Sequence, residues 1–114
     1  MNNLETYSKY EFHAHVYYCR DTFKKAKSLI EEISRNFSFE IGTMHEKPVG
    51  PHPLWSCQVK FYRDDFGSFV QWLILNRGQL NIFIHLCTDN NIADHTEYVC
   101  WLGESQSLKL DIFD

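Results

Sequence analysis

Apolar and polar residues alternate along Glu11–Tyr18, with Phe12, Ala14, Val16 and Tyr18 on one side and Glu11, His13, His15 and Tyr17 on the other. Successive side chains of a strand point to opposite faces, so this pattern predicts a strand with one buried face. Asp21-Thr22 opens a segment in which Phe23, Ala26, Leu29, Ile30, Ile33 and Phe37 recur at helical spacing. Lys24, Lys25, Lys27, Glu31, Glu32 and Arg35 form its wet face. Phe37, Phe39 and Ile41 then alternate with Ser38, Glu40 and Gly42, which predicts a second strand. Pro48, Pro51 and Pro53 fall within six residues, a density that neither helix nor regular strand tolerates, so His45–Pro53 reads as a stiff loop. Trp55, Cys57, Val59 and Phe61 alternate with Ser56, Gln58, Lys60 and Tyr62 as a third strand. Asp64-Asp65 caps a second helix with Phe66, Phe69, Val70, Leu73 and Ile74 along one side, ended by Asn76-Arg77-Gly78. A fourth strand follows over 80–85, with Leu80, Ile82 and Ile84 opposing Asn81, Phe83 and His85. In the tail, Leu108, Leu110 and Ile112 alternate as a short extra strand, whereas residues 1–9 carry no pattern and are expected to fray.

The order strand, helix, strand, strand, helix, strand buries both helical stripes against one face of an antiparallel four-stranded sheet with right-handed crossovers. The expected architecture is an α+β, ferredoxin-like βαββαβ sandwich with a C-terminal extra strand, forming one domain over residues 1–114. Such a sheet leaves its second face uncovered by its own helices, free for a dimer partner or a ligand cavity. That face carries His13, His15 and Tyr17 from the first strand and His85 from the fourth.

Composition narrows the function. A formal charge of −4, with basic residues only as single charges or short pairs, gives no electrostatic basis for binding nucleic acid or an anionic membrane. No run of eighteen apolar residues predicts a transmembrane helix. Met1–Thr6 lacks the basic and apolar regions of a signal peptide, so the expected location is the cytoplasm. Cys19, Cys57, Cys87 and Cys100 form no C-x-x-C pair and sit among apolar or aromatic residues, which reads as free, small buried side chains.

The chain has six histidines, two of them in His13-Ala14-His15 and two more bounding the proline loop at His45 and His52. Imidazole is the common protein ligand for iron, zinc and copper, and its pKa suits proton transfer near neutrality. A pair at i and i+2 sits on one face of a strand, where other residues can complete a site. His52, between Pro51 and Pro53, is held in a fixed direction; His85 ends a strand; His95 follows Asp94, a carboxylate able to orient it. His45 carries the least weight. Glu11 shares the face of His13 and His15 and could complete a two-histidine, one-carboxylate triad for iron(II). Signatures of common hydrolases, kinases and dinucleotide enzymes are absent.

With His13-Ala14-His15-Val16-Tyr17-Tyr18, Pro48-Val49-Gly50-Pro51-His52-Pro53, Trp72-Leu73, Asn76-Arg77-Gly78, Asp94-His95 and Trp101-Leu102-Gly103 in this order, the chain resembles the DOPA 4,5-dioxygenase family of fungi and bacteria from about Phe12 to Phe113. The resemblance implies a small ferredoxin-like homodimer that cleaves a catechol ring, as an extradiol dioxygenase using non-haem iron(II) and molecular oxygen. It implies metal ligation by two or three of His13, His15, His52 and His85, and catalytic roles for His95 and Tyr17. Arg77 and Asn76 are expected to bind the substrate, Arg77 by a bidentate contact with its carboxylate. Relatives usually have His-Pro where this chain has His85-Leu86, a change in the loop after the fourth strand. Two rival readings use the same residues: a non-enzymatic dimeric module that binds a small aromatic molecule, and a zinc-dependent isomerase or hydrolase. Zinc does not activate dioxygen, so metal identity separates the classes.

Overall fold

In a computed structural model, which describes residues 10–113, five strands form one antiparallel sheet with three α-helices. The strands are β1 (Glu11–Tyr18), β2 (Glu40–Ile41), β3 (Trp55–Tyr62), β4 (Ile82–Cys87) and β5 (Val99–Leu102), and the helices are α1 (Phe23–Asn36), α2 (Phe66–Asn76) and α3 (Asn91–Thr96). The sheet order is β2-β3-β1-β4-β5, which puts β1 at the centre. The expected fraying of residues 1–9 lies outside the described residues.

Alternation set the faces. Ala14, Val16 and Tyr18 of β1, Cys57, Val59 and Phe61 of β3, and Ile82 and Ile84 of β4 join Ala26, Leu29, Ile30 and Ile33 of α1 and Phe69, Val70 and Leu73 of α2 in one core. Phe61 and Phe69 meet edge to face with ring centroids 4.9 Å apart, a favoured aromatic geometry. His13, His15 and Tyr17 therefore point away from the helices, opposite Lys60, Gln58 and Ser56 of β3. On the other flank His13 faces His85 and His15 faces Phe83.

Four expectations need correction. The second strand is confined to Glu40–Ile41, paired with Lys60 and Val59, because Phe37 and Phe39 stack on each other and pack edge-on against Phe69 as a bridge from α1. Ile74 is 55 % exposed and does not belong to the core stripe of α2. The fourth strand is shifted two residues along the chain from the expected 80–85, to Ile82–Cys87. The extra strand is β5, not the tail: Leu110–Phe113 form a 3-10 turn, while Val99–Leu102 pair with β4 from His85 to Ile82.

The second sheet face is partly roofed by the proline loop, α3 and the C-terminal turn. The Lys109 amide donates to the Pro51 carbonyl at 2.8 Å, tying tail to loop. The turn at Gly50 has φ +54°, a conformation that disfavours side chains, and leaves His52 buried. Among the described residues no helix is long and apolar enough to cross a membrane.

Candidate metal centre

All six histidines line one cavity of about 370 Å³ between the sheet and this roof. His13 and His15 come from β1, His85 from β4, His45 and His52 from the proline loop and His95 from α3. Thus the chain brings together residues up to eighty-two positions apart (His13 and His95).

The closest contact is between His15 Nε2 and His85 Nε2, 3.0 Å apart. His85 Nδ1 donates to the Leu86 carbonyl at 2.9 Å, which leaves Nε2 with its lone pair and makes His15 the donor. The His52 ring centroid lies 4.0 Å from that of His15, and His13 lies 5.2 Å from His85. His52 Nδ1 meets the Tyr17 hydroxyl at 2.7 Å, an outer partner that fixes its ring. His95 Nδ1 donates to the Asn91 carbonyl at 2.7 Å, so its Nε2 is also a free acceptor, and its ring sits 4.3 Å from that of His85.

Electrostatics keep the inner rings uncharged. Burial first, then repulsion from the other imidazoles, lowers His15 well below the usual histidine value. Burial, with His95 and His85 opposing a further charge, lowers His52 to about 4. Burial, with His95 and His13 opposing a charge, likewise lowers His85 to about 4 despite its bond to Leu86. Neutral nitrogens are what a cation requires. Two nitrogens bound at about 2.1 Å to one ion lie no more than about 4.2 Å apart, and the 3.0 Å His15–His85 pair satisfies that limit. That pair therefore lies within reach of one divalent transition-metal ion.

The other expected residues fare differently. Tyr17 is buried and touches the cavity only through His52; burial raises its phenol, so it stays protonated. Asn76 and Arg77 do not line the cavity. They end α2 on the helical side, where Asn76 donates to the Trp72 carbonyl and Arg77 to the Leu80 carbonyl, at 2.8 and 3.0 Å. A methyl group at Gly103 would lie 2.8 Å from Arg77 Nη1 and closer still to Asn81 Oδ1, so Arg77 packs against the turn after β5, away from the histidine cavity. Glu11 binds His13 Nε2 at 2.5 Å and Lys60 at 3.6 Å. Asp94 does not orient His95: its carboxylate is spent on the Thr88 amide and hydroxyl, at 2.7 and 2.6 Å.

Sequence reasoning missed several lining residues, Cys87 and Phe113 among them. Cys87 follows His85 by two positions on β4, so the alternation that placed His85 also placed this thiol. One donor atom from each of His13, His85 and Cys87 lies within 4.8 Å of the others. Burial, then Glu11 and Asp94, pushes the thiol up to about 12. Phe113 stacks on His95 with centroids 4.6 Å apart, closing the cavity from the tail; only its being aromatic signalled a role.

The chain is 34 % identical to a protein from Nostoc punctiforme PCC 73102 described as a "putative dioxygenase", whose crystal structure superposes with a TM-score of 0.92 over 99 % of this chain and 96 % of that one. It is 33 % identical over 113 residues to an uncharacterized 21.2 kDa protein of Botryotinia fuckeliana, covering 89 % of this chain and 62 % of that protein. It is 27 % identical over 109 residues to the DOPA 4,5-dioxygenase of Amanita muscaria, covering 88 % of this chain and 48 % of that enzyme. The chain thus spans about half to three-fifths of the length of these curated relatives. The pattern that defines the Dopa 4,5-dioxygenase family matches residues 12–112, nearly the whole chain, and the protein belongs to that family.

Proposed function

We propose that this dioxygenase-family protein is an extradiol ring-cleaving enzyme that acts on a catechol with non-haem iron(II) and molecular oxygen. The observation that carries the reading is the convergence of six histidines on one cavity, the innermost held neutral by burial. In this reading the metal ligands are drawn from His13, His15, His52 and His85, with the facing His15–His85 pair at the centre. Iron(II) bound there would supply coordination sites for catechol and dioxygen together, which lowers the phenol pKa and removes part of the entropic barrier. The free Nε2 of His95 accepts a proton from a catechol hydroxyl entering beside it and returns it later in the cycle. Tyr17 is a positioning residue: its hydroxyl accepts from His52 Nδ1–H when His52 turns Nε2 to a metal. Phe113 and the rings of the cavity wall exclude water and offer a flat apolar surface to an aromatic substrate.

No lysine or arginine is among the described residues lining the cavity. The substrate class is therefore the catechol ring itself, with DOPA as one member whose side-chain carboxylate would find no cationic partner of that kind. A single ferredoxin-like domain over 1–114, a homodimeric state and a cytoplasmic location complete the proposal. Anaerobic loading with iron(II), followed by oxygen uptake on a panel of catechols including DOPA, tests it. The expected result is one dioxygen consumed per catechol and a yellow muconic semialdehyde. Binding of catechols without any oxygen uptake would reject the enzyme in favour of a ligand-binding module.

A further inference from the structure

Resting on the metal centre proposed above, we infer that Cys87, His13 and His85 form a second, thiolate-containing donor set that takes a soft divalent cation such as zinc and excludes iron(II) from the histidine cluster. Register brings the set together: His13 lies directly across from His85, and Glu11 across from Cys87, on the same face of neighbouring strands. Cys87 Sγ lies 4.0 Å from His85 Nδ1. Zinc binds sulfur at about 2.3 Å and imidazole at about 2.1 Å, so one ion bridges atoms up to about 4.4 Å apart. A thiolate beside two imidazoles is the donor chemistry that favours zinc over iron(II) or magnesium.

His85 makes the two sets exclusive. Its Nε2 faces His15, whereas its Nδ1 faces Cys87. An ion on Nδ1 would replace the bond to the Leu86 carbonyl and leave the ring proton on Nε2, where it donates to His15 Nε2 once His15 carries its own proton on Nδ1. His85 then has no lone pair on the side of the histidine cluster. The thiol would give up one proton to solvent as its sulfur–metal bond forms. No oxidant or reductant is needed.

The test is a cobalt(II) titration of the full chain without oxygen, with a phosphine reductant, followed by competition between zinc and iron(II). The wild-type chain is expected to show a near-ultraviolet thiolate-to-cobalt charge-transfer band. Cys87→Ser should lose that band and at least tenfold of its zinc affinity while keeping its iron(II) affinity, and zinc should displace iron(II) from the wild type. Cys87→Ala repeats the test, with circular dichroism showing that both variants fold. A band absent from the wild type, a band that survives Cys87→Ser through another thiol, or equal losses of zinc and iron(II) affinity would each overturn the inference. Iron(II) bound without the band rejects only the Cys87 set; failure to bind either ion rejects the metal centre as well.

Discussion

The Tyr17 hydroxyl contributes nothing to the helix-facing core, yet it is buried against His52 Nδ1. Tyr17→Phe keeps the ring and deletes only that partner. It should preserve the melting temperature to within a few degrees and weaken iron(II) binding about 10- to 100-fold, the range for losing an outer partner of a ligand histidine. Calorimetric titration with iron(II) under nitrogen measures this. Protons compete for the same nitrogens. His52 and His85 titrate near 4 in the folded chain and near 6.5 once unfolded. Between those values the unfolded chain binds more protons, so stability of the metal-free protein falls as pH drops from about 6.5 to about 4 and is flat above. One such group accounts for on the order of 3 kcal/mol across that window. Urea denaturation at pH 7 and pH 4.5 checks the sign: a midpoint that does not fall at pH 4.5 would contradict neutral burial.

Among the elements, those with a long regular alternation were legible from sequence and those built from turns were not. Glu11–Tyr18 and Trp55–Tyr62 run as eight-residue strands because apolar residues repeat at every second position on the core side. The same alternation put His13, His15 and His85 on a shared face. The tail misled because Leu108, Leu110 and Ile112 alternate without a strand to pair with, while β5 was hidden in Val99-Cys100-Trp101-Leu102, apolar on both sides. The short helix α3 has only six residues, too few to show a periodicity, and is held by local side-chain bonds, Asn90 capping Ala93 and Asp94 gripping Thr88. Asp94→Asn loses one charged acceptor of that grip. It should cost about 1–3 kcal/mol, read as a lower denaturation midpoint, and should lower turnover through displacement of His95 without abolishing metal binding. Gly103, at φ +88° with Asn81 and Arg77 where a Cβ would go, makes the turn that follows β5. Gly103→Ala should destabilise by about 1–3 kcal/mol. A melting temperature unchanged in that variant would mean that Arg77 is not packed there.

The whole molecule divides labour between the two faces of one sheet. The helical face supplies a continuous apolar core that fixes strand register, and register is what brings distant imidazoles within reach of each other. The chain belongs to the Dopa 4,5-dioxygenase family and shares its fold with the Nostoc protein. The metal and ligands proposed above rest on the cavity itself, because buried neutral nitrogens are poor places for protons and good ones for a transition-metal cation. X-ray absorption at the iron edge of the anaerobically loaded protein reports those nitrogens. It should show an iron(II) shell with two or more imidazoles by their outer-ring scattering, reduced in His15→Ala and His85→Ala. An all-oxygen shell, or iron that stays free in solution, would contradict the account.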